Sequence, residues 1–173
     1  MAKTVEDLPR NYGIRKDCGS GGRVIFRFAR TGTWRATDHE DILEGYIIIT
    51  KADPTLEGEC KGAYIVKSSN ATKGWIHILY DIAVEWSTKN GNGLAPCRFG
   101  VKENIYKIWE NYLINRKEEV EAVQIEDCLQ KVSKTWAETL KIETNEVATS
   151  FIYKNKTIDI IDGLLKEGKY REK

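Results

Sequence analysis

The sequence predicts a mixed α/β fold in which antiparallel strands come first and alternating strands and helices follow. β-rich runs lie at 23–29 and 42–50, and the second is a nearly continuous apolar stretch rich in β-branched side chains. From Gly62 to Asn115 the order changes to strand, glycine turn, helix, strand and second helix. We therefore predict a mixed, mostly antiparallel sheet flanked by helices on both faces.

Composition and charge narrow the class of protein. At 173 residues, 41% of them hydrophobic and 31% charged, the chain has the composition of an ordinary globular domain. The net charge of +1 provides no electrostatic basis for binding nucleic acid or an anionic membrane. The four cysteines form no C-x-x-C pair, so we expect no metal site. Without a leader or a long apolar stretch, we expect a cytoplasmic protein that has reduced thiols and no membrane partner.

We divide the chain into three segments. Residues 1–22 are a polar lead-in that ends in glycines, 23–128 form one α/β domain, and 129–173 form a C-terminal extension packed on that domain. Within the extension, 132–140 has the spacing of a short helix. The basic tail of the chain, 166–173, is expected to be solvated.

Both helices of the central segment have one apolar face. In the first helix, which ends near Lys89 with Gly91 as a left-handed cap, these positions are Ile78, Leu79, Ile82, Ala83 and Trp86. In the second helix they are Ile105, Ile108, Trp109 and Tyr112. We interpret the tryptophans as core residues.

A glycine turn lies between the strand at 62–69 and the first helix. Gly74 is at the mouth of this helix, where backbone N–H groups have no intrahelical partner and the helix dipole is positive. Such a turn suits a phosphate group. We therefore predict a phosphate site at 70–75.

The central segment resembles the GNAT acyltransferases, which have the same order of elements. The closer similarity is to GNAT-like proteins encoded by tailed phages, through Gly74-Trp-Ile-His-Ile-Leu-Tyr-Asp81 and Ile108-Trp-Glu-Asn-Tyr112. The resemblance covers residues 40–128 and extends weakly to 150–158. It implies that 23–128 is a GNAT-like domain.

The resemblance implies acetyl-coenzyme A as the cofactor. Strand backbone would pair with the pantetheine arm and the glycine turn would hold the pyrophosphate. The implied cofactor-binding residues are Ile65, Val66, Lys67, Lys73, Gly74 and Trp75. The turn departs from the family at two positions. Ile76 stands where a second Gly or Ala lets the backbone approach the phosphate, and the family's basic or glutamine residue before the turn falls on Ala71 or Asn70.

The resemblance also implies the catalytic positions. Glu44, at the start of a strand, is where a general base could lie, and a water is the alternative base. The family's tyrosine acid aligns with Trp109, which cannot donate a proton in this way, so Tyr112 or Tyr106 would have to replace it. We interpret His39 and His77 as solvated histidines, in a charged loop and on a helix surface.

Two functions follow from the resemblance. The first is an acetyl-coenzyme A-dependent N-acyltransferase that acts on an unknown amine, in a small molecule or a protein. The alternative is a non-catalytic GNAT-fold protein that serves as a phage structural or protein-binding component. Its partners would be a second copy of the chain or a phage or host protein, in the host cytoplasm or the virion.

Overall fold

The computed structural model describes residues 2–98, 100–125 and 150–173. The strands in these ranges are β1 Tyr12–Cys18, β2 Arg23–Arg30, β3 Arg35–Ala36, β4 Gly45–Lys51, β5 Tyr64–Ala71, β6 Leu94–Ala95, β7 Val120–Gln124, β8 Phe151–Asn155 and β9 Tyr170–Glu172. The α-helices there are α1 Ile76–Asn90, α2 Glu103–Ile114 and α3 Ile161–Lys166. None of these helices is long and apolar enough to cross a membrane. The helix predicted at 132–140 lies outside the described residues.

The chain forms two compact units, and most strand pairs in each are antiparallel. The first unit comprises 1–50, 67–86 and 159–173, and the second comprises 51–66 and 87–158. In the first, β2 pairs antiparallel with β1, β3 and β4, and β9 joins β1 in parallel. In the second, β8 is antiparallel to β6 and β7, and β6 is parallel to β5. The predicted mixed α/β class and mostly antiparallel pairing are confirmed.

One face of the sheet in the first unit packs against α1. Phe26 and Phe28 are fully buried and meet Trp86 and Trp75 edge to face, with ring centroids 5.8 and 6.0 Å apart. The apolar face predicted for α1 is confirmed as buried: Ile78, Leu79, Ile82, Ala83 and Trp86. The buried part of the helix is wider than predicted, because Tyr80 and Val84 are buried as well.

Aromatic side chains form the centre of the second unit. Trp109 and Tyr112 of α2 are buried as the helical spacing predicts, and the Trp109 ring lies 4.8 Å from that of Tyr153 on β8. Burial raises the pKa of Tyr153, so its phenol stays neutral. Ile65, one of the predicted cofactor-binding residues, is partly buried against a cluster of buried side chains that includes Cys60.

The segment expected to be a lead-in contains strand β1. This strand pairs with β2 along its whole length. Its inward positions are Tyr12, Ile14 and Lys16, and all three are buried. The Lys16 ammonium lies 5.2 Å from the centre of the Trp86 ring and 3.7 Å from Glu172. A lysine at an inward position interrupts the apolar alternation by which a strand is recognised.

The last residues of the basic tail are exposed apart from Tyr170, as expected of a solvated segment, but they form a strand and are not frayed. Tyr170–Glu172 forms β9, which pairs in parallel with β1, and the Lys173 N–H donates to the Lys16 carbonyl oxygen. Tyr170 is buried and its hydroxyl donates to Glu172. The tail therefore completes the sheet edge of the first unit.

The expectation of reduced thiols is wrong at one position. Cys60 is fully buried and disulfide-bonded. Cys18 and Cys97 are free thiols, the first exposed and the second half-buried. Wide spacing of cysteines along a chain does not prevent a disulfide, because the fold decides which of them meet.

Candidate functional site

A cleft of about 450 Å³ lies on the sheet face of the first unit opposite its core. Side chains of β2 and β4 alternate between the two faces. Phe26 and its register partner Ile47 are fully buried on the core face. The neighbouring pair, Ile25 and Ile48, is half-buried and lines the cleft. The outer face of this sheet is therefore partly open to a ligand.

Three segments form the rim of the cleft. They are the loop 37–39 after β3, residues 44 and 45 at the start of β4, and residues 70 and 71 at the end of β5. A Cβ on Gly45 would lie 2.8 Å from the Cβ of Ala71 and 3.0 Å from the Phe28 ring. Only glycine allows β4 to begin this close to the end of β5.

Glu44, the predicted base, lies on this rim. Its side chain is 36% exposed, and His39 Nδ1 lies 3.1 Å from its Oε2. Its backbone is joined to the end of β5: the Glu44 N–H donates to Thr72 Oγ1 at 3.1 Å, and the Thr72 N–H donates to the Glu44 carbonyl at 2.9 Å. These bonds fix the position of Glu44 relative to the glycine turn that follows Thr72.

The predicted phosphate turn has the backbone that its glycine suggests. Gly74 has φ of +90°, a left-handed value that strains any residue with a side chain. The Trp75 N–H donates to the Thr72 carbonyl at 3.0 Å, and the Trp75 side chain packs in the core. Lys73 is exposed and Ile76 is half-buried. The turn can therefore offer a ligand its backbone and Lys73, but not the indole.

In the second unit, the parallel ladder between β5 and β6 is very short. Its pairs are Tyr64–Leu94 and Ile65–Ala95. The next pair in this register would join Val66 to Pro96, and proline has no N–H to donate. The ladder therefore includes Ile65, the first of the predicted pantetheine-binding residues, and ends before Val66.

Tyr112, the predicted acid, lies inside the second unit. It is 1% exposed, with its ring 6.0 Å from that of Trp109 and 5.9 Å from that of Tyr153. The guanidinium carbon of Arg116 lies 5.1 Å from the ring centre. The alternative acid, Tyr106, is also buried. Tyr112 is thus part of the buried aromatic cluster of this unit.

The predicted residues thus fall into two groups. Glu44, Lys67, Lys73, Gly74 and Trp75 belong to the first unit. Ile65, Val66 and Tyr112 belong to the second unit. Hydrogen bonds through Thr72 join Glu44 to the turn that contains Gly74.

Two polar residues of the cleft, Arg27 and His39, were not assigned a role from the sequence. Arg27, on β2, lines the cleft with its side chain 31% exposed and its Nε 3.0 Å from Asp17 Oδ2. His39 is 97% exposed, which confirms that it is a solvated loop residue, and it also lies at the cleft beside Glu44. The two-residue alternation of β2 could have shown that Arg27 shares a face with Ile25. No sequence signal places the His39 loop beside Glu44.

Comparisons with known proteins do not identify this site. No protein-family profile, curated protein or solved structure matches the chain. Within the described ranges, no three His, Cys, Asp or Glu side chains are grouped so that they could hold a metal ion. The site is therefore interpreted from its own chemistry.

Proposed function

We propose that the protein is an acetyl-coenzyme A-dependent N-acyltransferase of the GNAT type, whose amine acceptor binds in the cleft beside Glu44. The observation that carries the proposal is the pair of hydrogen bonds between Glu44 and Thr72. They hold the candidate base at a fixed position relative to the candidate phosphate turn. Such positioning is a large part of what an acyltransferase contributes to its reaction.

Three features support binding of acetyl-coenzyme A. Gly74 has a left-handed backbone at the N-terminus of a 15-residue helix, where anions are favoured. The ladder of β5 and β6 ends at Pro96, and GNAT enzymes admit the pantetheine arm where the corresponding strands separate. The order β4, β5, α1, β6, α2 is the GNAT order. That helices cover both faces of the sheet, as in that fold, is part of the proposal.

The proposed reaction uses few side chains. Acetyl-coenzyme A supplies the acyl group as a thioester. Glu44 removes a proton from the acceptor nitrogen, directly or through a water, as the C–N bond forms and the C–S bond breaks. His39, next to Oε2, orients the Glu44 carboxylate. Since Tyr112 is buried, α2 provides no acid, and the thiolate leaves without this help. General acid catalysis is worth about 10²–10⁴-fold, so we expect slow turnover.

The alternative is a non-catalytic GNAT-fold protein with a structural or protein-binding role in a phage. It is favoured by two observations. The half-buried Ile76 occupies the position where the family needs a small residue. Tyr112 is 1% exposed and packs against aromatic rings, as expected of a core residue. This alternative expects a folded protein that does not bind acetyl-coenzyme A.

Calorimetric titration with acetyl-coenzyme A distinguishes the two functions. The acyltransferase proposal expects saturable binding that Ile76→Ala strengthens, because the crowding at the turn is removed. Lys73→Glu should weaken the binding of acetyl-coenzyme A, because the new carboxylate repels the pyrophosphate. The matched control is Lys61→Glu, which changes an exposed lysine in another segment and should leave the affinity unchanged. Gly74 is a poor choice for substitution, since its φ of +90° would strain any replacement. No heat of binding at millimolar concentration, with the fold intact, would exclude the acyltransferase.

A further inference from the structure

The floor of the cleft changes in polarity along β2 and β4. Ile25 pairs with Ile48, and Arg27 pairs with Tyr46 one step further along the same face. Glu44 lies two residues beyond Tyr46, a separation of about 7 Å along a strand. A ligand along this floor therefore meets apolar, cationic and acidic side chains in that order.

Within the described part of the chain, the cationic part of the floor carries more positive charge than its ion pairs neutralise. Arg27 lies 3.0 Å from Asp17, but Arg15 binds both oxygens of the same carboxylate at 2.9 and 2.8 Å. Because the guanidinium groups of Arg15 and Arg27 share the single carboxylate of Asp17, these three side chains carry a net charge of one positive unit. Among the described residues, the terminal nitrogens of Arg27 make no hydrogen bond. These donors are suited to a ligand carboxylate, which an arginine can bind through two parallel bonds.

The acidic side chains at the rim of the cleft should bind a positively charged group of a ligand. Glu44 and Asp38 both line the cleft. Asp38 Oδ1 accepts the Glu40 N–H, and its second oxygen accepts no hydrogen bond from the residues that the structure describes, so it can bind a ligand. An ammonium group satisfies both carboxylates through charge-assisted hydrogen bonds.

We propose that the cleft binds a small zwitterion, namely an α-amino acid with an aliphatic side chain. Its carboxylate would bind Arg27, its ammonium would bind Glu44 and Asp38, and its side chain would rest on Ile25 and Ile48. The volume of about 450 Å³ is in the range of small-molecule sites. That the bound amino group is the acyl acceptor rests on the proposed function; binding of the zwitterion does not.

Three matched ligands test the proposal without acetyl-coenzyme A. Leucine has both charges, isopentylamine lacks the carboxylate, and 4-methylpentanoate lacks the ammonium. Calorimetry or NMR titration should show that leucine binds at least tenfold more tightly than either analogue. Equal affinity for leucine and isopentylamine would overturn the proposal, and so would an absence of binding by all three.

Two arginine variants test the role assigned to the carboxylate site. Arg27→Gln should weaken leucine binding at least tenfold and leave isopentylamine binding unchanged, because only leucine uses the guanidinium. Arg23→Gln is the matched control: Arg23 is an exposed arginine of the same strand, yet it does not line the cleft, so leucine affinity should change less than threefold. Thermal unfolding of both variants checks that the fold is retained. Equal loss in the two variants would contradict a direct contact with Arg27.

The outcomes also separate this proposal from the proposed function. If leucine binds but is not acylated in the presence of acetyl-coenzyme A, the proposal of a zwitterion site is supported and the proposal of an acyltransferase is contradicted. If isopentylamine is acylated as well as leucine, the acyltransferase stands and the zwitterion site fails.

Discussion

Glu44 and Thr72 exchange backbone and side-chain hydrogen bonds although they are far apart in the sequence. The Thr72 hydroxyl accepts the Glu44 N–H at 3.1 Å, and the Glu44 carbonyl accepts the Thr72 N–H at 2.9 Å. Thr72 is the residue after β5, and its carbonyl also accepts the Trp75 N–H. A single threonine thus connects the rim of the cleft with the turn at the start of α1.

Replacing Thr72 should therefore lower the free energy of unfolding and disturb the rim of the cleft. Thr72→Val has nearly the same shape but leaves the Glu44 N–H without its acceptor, so unfolding free energy should fall by about 0.5–1.5 kcal/mol. Thr72→Ser keeps the hydroxyl, so its unfolding free energy should fall by less than that of Thr72→Val. Urea unfolding of the two variants measures the difference, and equal stability of Thr72→Val and the unmodified protein would show that the bond is unimportant.

The buried face of α1 gives a second prediction. Leu79 is fully buried, so Leu79→Ala should lower the unfolding free energy by about 2–5 kcal/mol through lost burial and a residual cavity. Leu165 on α3 is 52% exposed, and Leu165→Ala should change the unfolding free energy by less than about 0.5 kcal/mol. Chemical denaturation checks both variants. Similar losses at the two positions would contradict the orientation of α1.

Parts of the fold with strong periodicity could be predicted from the sequence. The apolar stripe of α1 and the β-branched run of β4 depend on local spacing, which burial on one face enforces. The strand at 12–18 was missed because Lys16 is an inward residue held by Trp86 and Glu172. The strand at 170–172 was missed because its partner, β1, is distant in sequence and no local pattern encodes that pairing.

The site could be predicted only in part, for a related reason. Glu44 and Gly74 were found through the resemblance and the helix-mouth glycine, and the structure joins them through Thr72. Tyr112 was proposed as an acid although it belongs to the apolar stripe of α2, and the same stripe accounts for its burial. Arg27 was missed because its role depends on Asp17 being shared with Arg15, a tertiary arrangement.

A third prediction concerns Gly91, at the end of α1. The left-handed glycine there is Gly93, with φ of +98°, and not Gly91 as the sequence suggested. Gly91 is needed for space, since a Cβ would collide with the Gly62 carbonyl oxygen and lie 2.8 Å from the Tyr64 ring. Gly91→Ala should cost about 1–3 kcal/mol. Gly163→Ala, in α3 with open space around it, should be neutral or stabilising. Thermal unfolding compares the two, and a neutral Gly91→Ala would refute the close approach.

A fourth prediction concerns pH. Hydrogen bonds from Arg116 hold the pKa of Glu119 below its usual range, with Nε–Oε1 at 3.1 Å and Nη2–Oε2 at 2.7 Å. A carboxyl whose pKa is lowered by folding stabilises the protein above its unfolded-state pKa, and this contribution disappears as the pH falls through the folded-state pKa.

Glu119→Gln should therefore lower stability at pH 7, and the difference should disappear as the pH falls through the lowered pKa of Glu119. Because the Glu119 side chain is 45% exposed, the difference should stay under about 1 kcal/mol. Glu118→Gln, at a neighbouring exposed glutamate with no ion pair among the described residues, is the control. Urea unfolding across this pH range makes the comparison, and a difference that grows on acidification would reverse the assigned sign.

The last prediction tests whether Tyr112 takes part in chemistry. A tyrosine that protonates a departing thiolate would make the reaction about 10²–10⁴-fold slower when its hydroxyl is removed. Tyr112 is 1% exposed and enclosed by Trp109 and Tyr153, so Tyr112→Phe should change the acetylation rate less than threefold. Tyr112→Ala should instead cost about 3–5 kcal/mol of stability, because the aromatic cluster loses a ring. Glu44→Gln, in the same transfer assay, should slow the reaction at least a hundredfold if Glu44 is the base. A large rate loss in Tyr112→Phe with unchanged stability would show that Tyr112 acts as the general acid. Slow turnover would then no longer be expected.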